Sequence, residues 1–392
     1  MIGSERLHSL SRLPAPLLTA YLRTCPDNAS VHPPVRTCLA WLRQEAESLA
    51  SGLSRGESNL FRQQLRRLEE FLHDRSVREK GLVVFAGQDA WETIDLQVEI
   101  ANELHWGKPA VTQLLWLAAE HKPYCVVVVD RSGARLFDYR LGEVSLREEA
   151  KFEVDTSQWK KKDRAHVARP GIRETYGAQR DVFDHRMDAQ YRRLSRDVAD
   201  NVIRLFKLEP FSAVFLAGPE RLVTPIAGRF PAELFERAIS IHKDLGRVEL
   251  NGLKEHIEPA IEAWERGHQM KLVEELLGLE KGAVVGIAET LAELQKGAVG
   301  RLTICTDLDH RVLRCERCGY TDYSADPVCG VCRGNRSPVR LRTVLPELAA
   351  GVKTEIEVVS GEAALKLKQA GGMGGRLRQI KQDRRRRVLV PA

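Results

Sequence analysis

Two Cys-x-x-Cys pairs constrain the local fold of this chain more than any other feature of its sequence. They are Cys315 with Cys318 and Cys329 with Cys332, and ten residues separate them. Each pair presents two thiolates from one tight turn, and four thiolates complete a tetrahedral zinc site. No coordination position then stays open, so the spacing predicts a structural zinc ion. The alternatives are two reduced pairs without a metal, or a redox pair, although neither pair opens a helix in a thioredoxin-like pattern.

Length and composition predict a soluble protein of more than one domain. The chain has 392 residues, which favours two or three domains. Its charged content of 29% and its formal net charge of +6 exclude neither nucleic acid nor protein partners. The other four cysteines are scattered singly, as expected in a reducing compartment. The N-terminus MIGSERLHSL lacks a signal pattern and no apolar run is long enough to span a membrane, so we expect a cytoplasmic protein without membrane partners.

Apolar periodicity predicts a mixture of helices and strands. Phe61, Leu65, Leu68 and Leu72 share one helical face, and the run from Ser51 to Ser58 divides this region into a helical hairpin. Further helices are predicted at Arg180–Phe206, Gly282–Leu294 and Leu345–Gly351. Short apolar runs predict strands at Leu82–Ala86, Cys125–Val129, Ala213–Ala217, Arg301–Cys305 and Glu355–Ser360. The mixture predicts an α/β fold.

A dense basic stretch, Trp159–Arg180, precedes the longest predicted helix. It has two acidic residues and seven basic ones, namely Lys160, Lys161, Lys162, Arg164, Arg169, Arg173 and Arg180. Such a stretch neutralises phosphates and releases counterions, and the rings of Trp159, His166 and Tyr176 can stack on bases. A merely solvated basic loop is the alternative. The long amphipathic helix behind the stretch favours RNA binding, because it can carry the loop beyond the body of its domain.

The tripeptide Gly177-Ala178-Gln179 stands where this stretch meets the helix. Glycine loses much backbone entropy on ordering and is a poor helix former. A glutamine amide can orient a water molecule but cannot deprotonate it. One interpretation is therefore that the tripeptide is a flexible start of the helix with no catalytic role. In the other, a partner supplies most of the reacting site. A second basic run, Arg376–Arg387, is a phosphate-seeking tail or a solvated end.

The order of these parts resembles the archaeo-eukaryotic class I release factors and Pelota, in the bacterial branch that includes Balon-type hibernation factors. The resemblance runs from about Leu17 to Gln379. It rests on four segments: CVVVVDRSGARLF with KFEVD, the basic stretch with its helix and AVFLAG, GIAETLAELQKGAVGRLTI with the Cys pairs, and EIEVVSGEAALKLKQAGGMGGRLR. Release factors carry Gly-Gly-Gln at the position of Gly177-Ala178-Gln179.

The resemblance implies a multidomain α/β protein shaped like a transfer RNA. An N-terminal α/β domain at 1–148 would lie near the decoding centre. A central RNase H-like domain at 149–269, with a projecting long helix and basic loop, would reach the peptidyl transferase centre. A kink-turn-binding, ribosomal-protein-like domain at 270–380, with the zinc insert, would contact a translational GTPase such as elongation factor Tu. Residues 381–392 would form a basic tail.

Two departures from the family shape the functional hypotheses. The hairpin tip Ser51–Arg62 lacks the Asn-Ile-Lys-Ser motif that reads stop codons, and the middle glycine of the tripeptide is Ala178. The first hypothesis is a monomeric factor that occupies the ribosomal aminoacyl site in hibernation or rescue, without reading a codon. The second is a rescue enzyme in which Gln179 orients water onto the peptidyl-tRNA ester. The third is a zinc-containing regulator that binds RNA or DNA off the ribosome.

Overall fold

The structure, a computed structural model, describes residues 4–24, 34–75, 79–151, 175–246, 248–279 and 281–378. Contacts among these residues divide the chain into two compact units. The first takes residues from 14–109 and 121–261, and the second takes residues from 2–13, 110–120 and 262 onward. The predicted mixed α/β class is confirmed. The predicted three-domain division, with bounds after residues 148, 269 and 380, stays a prediction.

Within the described residues the chain forms eleven helices and sixteen strands. The helices are α1 Ser4–Ser11, α2 Pro34–Ala50, α3 Arg55–Asp74, α4 Thr112–Glu120, α5 Thr175–Leu208, α6 Glu220–Ala227, α7 Ala232–Phe235, α8 Leu250–Gly278, α9 Ile287–Gln295, α10 Leu341–Gly351 and α11 Gly361–Gln369. The strands are β1 Leu17–Arg23, β2 Gly81–Ala86, β3 Trp91–Leu96, β4 Glu103–Gly107, β5 Tyr124–Val129, β6 Gly133–Arg140, β7 Glu143–Lys151, β8 Ala213–Ala217, β9 Ala238–Ile241, β10 Ala283–Val285, β11 Val299–Cys305, β12 Arg311–Cys315, β13 Thr321–Asp322, β14 Arg336–Arg340, β15 Glu355–Val359 and β16 Met373–Leu377.

An antiparallel sheet of order β3-β2-β1-β4 carries the predicted helical hairpin on one face. Phe61, Leu68 and Leu72 of α3 are buried against strand residues such as Leu18 and Leu82. The hairpin prediction is therefore confirmed, because the apolar stripe of α3 finds the apolar face of a sheet. The turn between α2 and α3 leaves the tip of the hairpin at the surface.

A second sheet in the same unit has the order β7-β6-β5-β8-β9, and its strands β5, β8 and β9 are parallel. Every residue of β5 and β8 is buried, as expected for central strands covered on both faces. Helix α5 packs Leu194, Val198 and Val202 into this core. The sheet joins strands on both sides of residue 148, because β5, which precedes it, pairs with β8, which follows it.

The second unit is built on a mixed sheet of order β10-β16-β11-β15. The predicted helix at Gly282–Leu294 is wrong at its start, because Ala283–Val285 forms β10 and the helix begins at Ile287. Val284 and Val285 pair with two glycines of β16, and Gly286 makes the turn with φ of 99°. Local apolar periodicity does not distinguish three such residues from a helical turn.

A short helix and a small sheet complete the second unit. Trp116 of α4 is buried in its core, and the indole Nε1 donates a hydrogen bond to the carbonyl oxygen of Arg342 at 2.7 Å. The strands β12, β13 and β14 form a separate three-stranded sheet between β11 and α10. We call residues 306–340 the cysteine insert. None of the described helices is long and apolar enough to cross a membrane.

Candidate functional site

The cysteine insert brings the two Cys-x-x-Cys pairs together as the sequence predicted. Cys315 ends β12, and the sulfur atoms of all four cysteines lie within 4.8 Å of one another. The Sγ atoms of Cys315 and Cys332 are 3.4 Å apart, and those of Cys318 and Cys329 are 3.7 Å apart. Cys315 and Cys329 are buried, whereas Cys318 is exposed. Nearby thiols of this kind form a ligand set for a metal ion.

Each pair sits in a tight turn whose backbone N–H groups lower the pKa of its first thiol. The N–H of Gly319 donates to the carbonyl oxygen of Cys315, and the N–H of Arg333 donates to that of Cys329. Gly319 and Arg333 both have positive φ, which closes the two turns in the same way. The backbone N–H of Cys318 lowers the pKa of the Cys315 thiol to about 6. In the second turn, the backbone N–H of Cys332 lowers the pKa of Cys329.

The separation of the sulfur atoms fits a tetrahedral metal. Zinc–sulfur bonds of about 2.3 Å give a tetrahedron whose sulfur atoms are about 3.8 Å apart. The measured distances of 3.4 and 3.7 Å are close to that edge. The four cysteines can therefore hold one metal ion, and zinc is compatible with this donor set. With four protein thiolates bound, no position is left for a substrate.

Gly334 lies directly against the sulfur atoms, and it supports a testable prediction. A Cβ atom there would stand 3.2 Å from Cys315 Sγ and 3.3 Å from Cys332 Sγ. We expect Gly334→Val to weaken metal affinity about tenfold or more, because groups around the ligands set their orientation. Competition with a chromogenic chelator measures this. The control is Gly330→Ala, where a Cβ meets nothing within 4 Å. Equal affinities of the two variants would contradict the prediction.

The predicted RNA-binding stretch falls largely outside the described residues. Lys160, Lys161, Lys162, Arg164, Arg169 and Arg173 all lie there, and their role stays a prediction. The backbone of Tyr176, of the tripeptide Gly177-Ala178-Gln179 and of Arg180 is described, and it belongs to the first turns of α5. The helix thus begins at Thr175, five residues before the predicted start. One glycine costs about 1 kcal/mol in a helix, which a 34-residue helix tolerates.

Helix α5 presents a basic face to solvent beyond its first turns. Arg192, Arg193 and Arg196 are exposed, while Leu194 and Val198 on the opposite side are buried. Toward the C-terminal end, Arg204 of the helix forms an ion pair with Glu148 of β7. The predicted amphipathic character of this helix is confirmed over these residues. Its buried stripe fixes the helix on the sheet and leaves the arginines free to meet a partner.

A polar groove along α3 was not predicted from the sequence. A cavity of about 550 Å³ is lined by Asn59, Arg62, Gln63, Gln64, Arg66, Arg67, Glu70 and Gln88. A capping box fixes the start of the helix: Ser54 Oγ accepts from the N–H of Glu57, and the Glu57 carboxylate accepts from the N–H of Ser54. Arginines and amides side by side suit RNA contacts. The spacing of Arg62 and Arg66 by four residues was the signal in the sequence.

The comparisons with known proteins agree with the resemblance read from the sequence. The sequence model of bacterial archaeo-eukaryotic release factor family 10 matches residues 109–246. That segment contains the basic stretch, the tripeptide and α5. No curated protein sequence matches the chain significantly.

Three solved structures are among those that match this chain, all with TM-scores below 0.5. A model of ribosome-bound archaeal Pelota and ABCE1 has 14% identity over 95% of this chain and 93% of that chain, with a TM-score of 0.41. Dom34 of S. cerevisiae, a translation termination-like factor that interacts with Hbs1, has 12% identity over 74% and 73%, with a TM-score of 0.38. The archaeal translation termination factor aRF1 has 17% identity over 96% of each chain, with a TM-score of 0.24.

Proposed function

We propose that this chain, whose residues 109–246 match the model of bacterial archaeo-eukaryotic release factor family 10, is a ribosome-binding translation factor of the bacterial branch of that superfamily. It occupies the aminoacyl site without reading a codon, in hibernation or rescue. One observation carries the proposal. The segment matched by the family, residues 109–246, contains a basic stretch, the release-factor-like tripeptide and a helix of 34 residues in succession. Such a helix is about 50 Å long, enough to carry its tip far into a ribosomal cleft.

The hairpin of α2 and α3 supports occupancy without codon reading. Its turn lacks Asn-Ile-Lys-Ser. The polar side chains of Ser54 and Glu57 in that turn instead form the capping box at the start of α3. The neighbouring groove offers Arg62 and Arg66, which suit phosphates. Phosphate contacts fix position and carry no sequence information. In this proposal the hairpin lies against the ribosomal RNA of the decoding centre.

The metal and the remaining domains complete the proposal. The four cysteines hold a structural zinc ion, since four thiolates leave it no catalytic position. Residues 1–148 lie toward the decoding centre, 149–269 toward the peptidyl transferase centre, and 270–380 toward a translational GTPase such as elongation factor Tu. The protein acts in the cytoplasm as a monomer.

Peptide release distinguishes an occupant of the aminoacyl site from a hydrolase. We expect the wild-type protein to co-sediment with 70S ribosomes whatever codon they hold, and to release labelled peptide only at the background rate. Gln179→Ala should then leave sedimentation intact, because one neutral amide is a small part of an electrostatic interface. Gln190→Ala, on the same helix about 16 Å further along, is the matched control.

Two results would change the assignment. Efficient release by the wild-type protein, lost in Gln179→Ala but not in Gln190→Ala, would show that the protein is a hydrolase rather than a passive occupant of the aminoacyl site. Failure to sediment with ribosomes at low salt would contradict both the occupant and the hydrolase assignments. Ala178→Gly restores the glycine of the family, and new release by this variant would show that Ala178 holds an inherited activity in check.

A further inference from the structure

A small inner pocket adjoins the polar groove along α3. Its volume is about 110 Å³, and it shares Gln64 and Gln88 with the groove. It lies at the end of the sheet where β2 and β4 end and β1 begins, and Pro14, Pro16 and Trp106 form part of its wall. All the residues that line it belong to the first unit. The two cavities therefore make one site, with a wide outer groove and a narrow inner pocket.

Two polar atoms are buried at the inner pocket without a hydrogen-bond partner among the described residues. One is the amide oxygen Oε1 of Gln64, a residue that is 4% exposed, and the other is the indole Nε1 of Trp106. Trp106 pairs with Leu18 of the core beneath α3, and its ring meets that of Phe61 edge to face at 5.4 Å. The indole thus lies on the face of the sheet that α3 covers. Unpartnered buried groups cost stability, so this acceptor and this donor indicate a polar ligand.

The polar groups of the inner pocket match one edge of guanine. Asp89 also lines the pocket, and it is exposed. The pocket therefore offers two acceptors, the Gln64 amide oxygen and the Asp89 carboxylate, and one donor, the Trp106 N–H. The Watson–Crick edge of guanine presents two donors, N1–H and the N2 amine, and one acceptor, O6, whereas adenine presents one of each. A pocket of about 110 Å³ admits this edge, and the rest of the ring lies toward the groove.

The outer groove supplies positive charge for a phosphate. Arg62, Arg66 and Arg67 line it together with Glu70. Arg67 packs over the ring of Trp91, with its guanidinium carbon 4.4 Å from the ring centroid. Arg62 and Arg66 are exposed and form no ion pair with any described residue. Guanidinium groups bind phosphate oxygens in pairs. None of the described residues that line the groove is aromatic, so a second base would have no ring to stack on.

We propose that this site binds a guanine mononucleotide, with the edge of the base in the inner pocket and the phosphate on Arg62 and Arg66. The base gives Gln64 and Trp106 the partners that the fold does not provide. One nucleotide accounts for both cavities, whereas a strand would need a further stacking ring. A bound nucleotide would compete with ribosomal RNA for the two arginines. The inference goes beyond the function proposed above and does not rest on it, because its test uses no ribosomes.

Isothermal titration calorimetry of the full chain with single nucleotides tests the base. We expect GMP to bind about tenfold more tightly than IMP, which lacks the N2 amine, and more tightly still than AMP. Gln64→Leu should lower the affinity for GMP about tenfold or more. Its thermal midpoint should stay the same or rise, because the buried amide oxygen has no partner in the fold. Asp89→Asn changes an exposed side chain and should reduce the preference for GMP over IMP. Failure of GMP to bind, equal binding of the three nucleotides, or unchanged GMP affinity in both variants would overturn the proposal.

Comparison of GMP with guanosine tests the phosphate. Arg62→Gln/Arg66→Gln should lower the affinity for GMP about tenfold or more and leave that for guanosine unchanged, because only GMP carries the phosphate. The control is Arg192→Gln/Arg196→Gln, which removes two exposed arginines of the same spacing from α5 and should bind GMP like the wild type. Equal losses in both variants would contradict the assignment. A twelve-nucleotide RNA with one guanine among uridines tests the other source of the base. If it bound more tightly than GMP and lost affinity in Gln64→Leu, the site would serve an RNA strand and the mononucleotide would be ruled out.

Discussion

Zinc removal is expected to unfold the cysteine insert while the core of its own unit stays folded. Binding of a structural zinc contributes on the order of 10 kcal/mol to folding, and Cys315 and Cys329 would otherwise be buried thiols without that partner. Most of the core around Leu291, Leu302 and Leu345 lies outside the insert, which contributes Leu308 and Val312 to its buried residues. Cys329→Ser should therefore abolish stoichiometric zinc and make the chain cleavable by trypsin after Arg317 and Arg333, which are exposed but held in ordered turns in the folded insert. Metal analysis and limited proteolysis measure the two effects.

The control for this prediction is a cysteine outside the site. Cys38→Ser removes a buried thiol whose Sγ donates to the carbonyl oxygen of Arg23, a bond that a hydroxyl can also make. It should keep one zinc per chain. Acid should act like Cys329→Ser, because protons compete with the metal for the four thiolates and release it as the pH falls. A metal-free protein with unchanged proteolysis would contradict the prediction.

The basic stretch before α5 is expected to supply much of the affinity for the ribosome. Alanine at Lys160, Lys161, Lys162 and Arg164 removes four positive charges. Each lost phosphate contact lowers the salt slope by about 0.7 to 0.9, so the slope should fall by about 3. Affinity at 0.1 M salt should then fall about a thousandfold. Sedimentation with 70S ribosomes at several salt concentrations measures both.

A charge-matched variant separates this effect from a general loss of positive charge. Arg221, Arg229, Arg237 and Lys243 are exposed in the first unit, and their replacement by alanine also removes four charges. We expect this variant to keep most of the affinity and nearly the full slope. Parallel losses in both variants would mean that only net charge matters. An unchanged slope in the first variant would identify the stretch as a solvated loop.

The sequence was most informative where one local pattern decides the structure. The stripe of Phe61, Leu68 and Leu72 predicted α3, because burial of one helical face repeats apolar residues with the helical period. The continuous apolar run of β5 predicted a central strand, because both faces of such a strand are buried. The packing of α4 in the core of the second unit is not indicated by any such pattern in the sequence. Trp116 reaches a carbonyl oxygen 226 residues away, and only packing selects that partner.

The candidate sites also differ in how far a local sequence pattern determines them. Four cysteines at fixed spacing define their own geometry, so the sequence predicted which four thiols lie close enough to hold a metal ion. The groove on α3 needs Gln88 from a turn between two strands, and nothing in the sequence links that residue to Arg62.

The place of the cysteine insert in the chain also affects the rate at which this unit assembles. The parallel strands β11 and β15 are joined by a connection of about 50 residues, which contains the insert. Once β12 and β14 pair and the thiols bind a metal, His310 and Leu341 are adjacent, and about 19 residues remain to be closed. The free-energy cost of loop closure then falls by about 0.8 kcal/mol, which corresponds to roughly fourfold faster closure. Zinc supply during synthesis would thus set the pace at which the sheet closes.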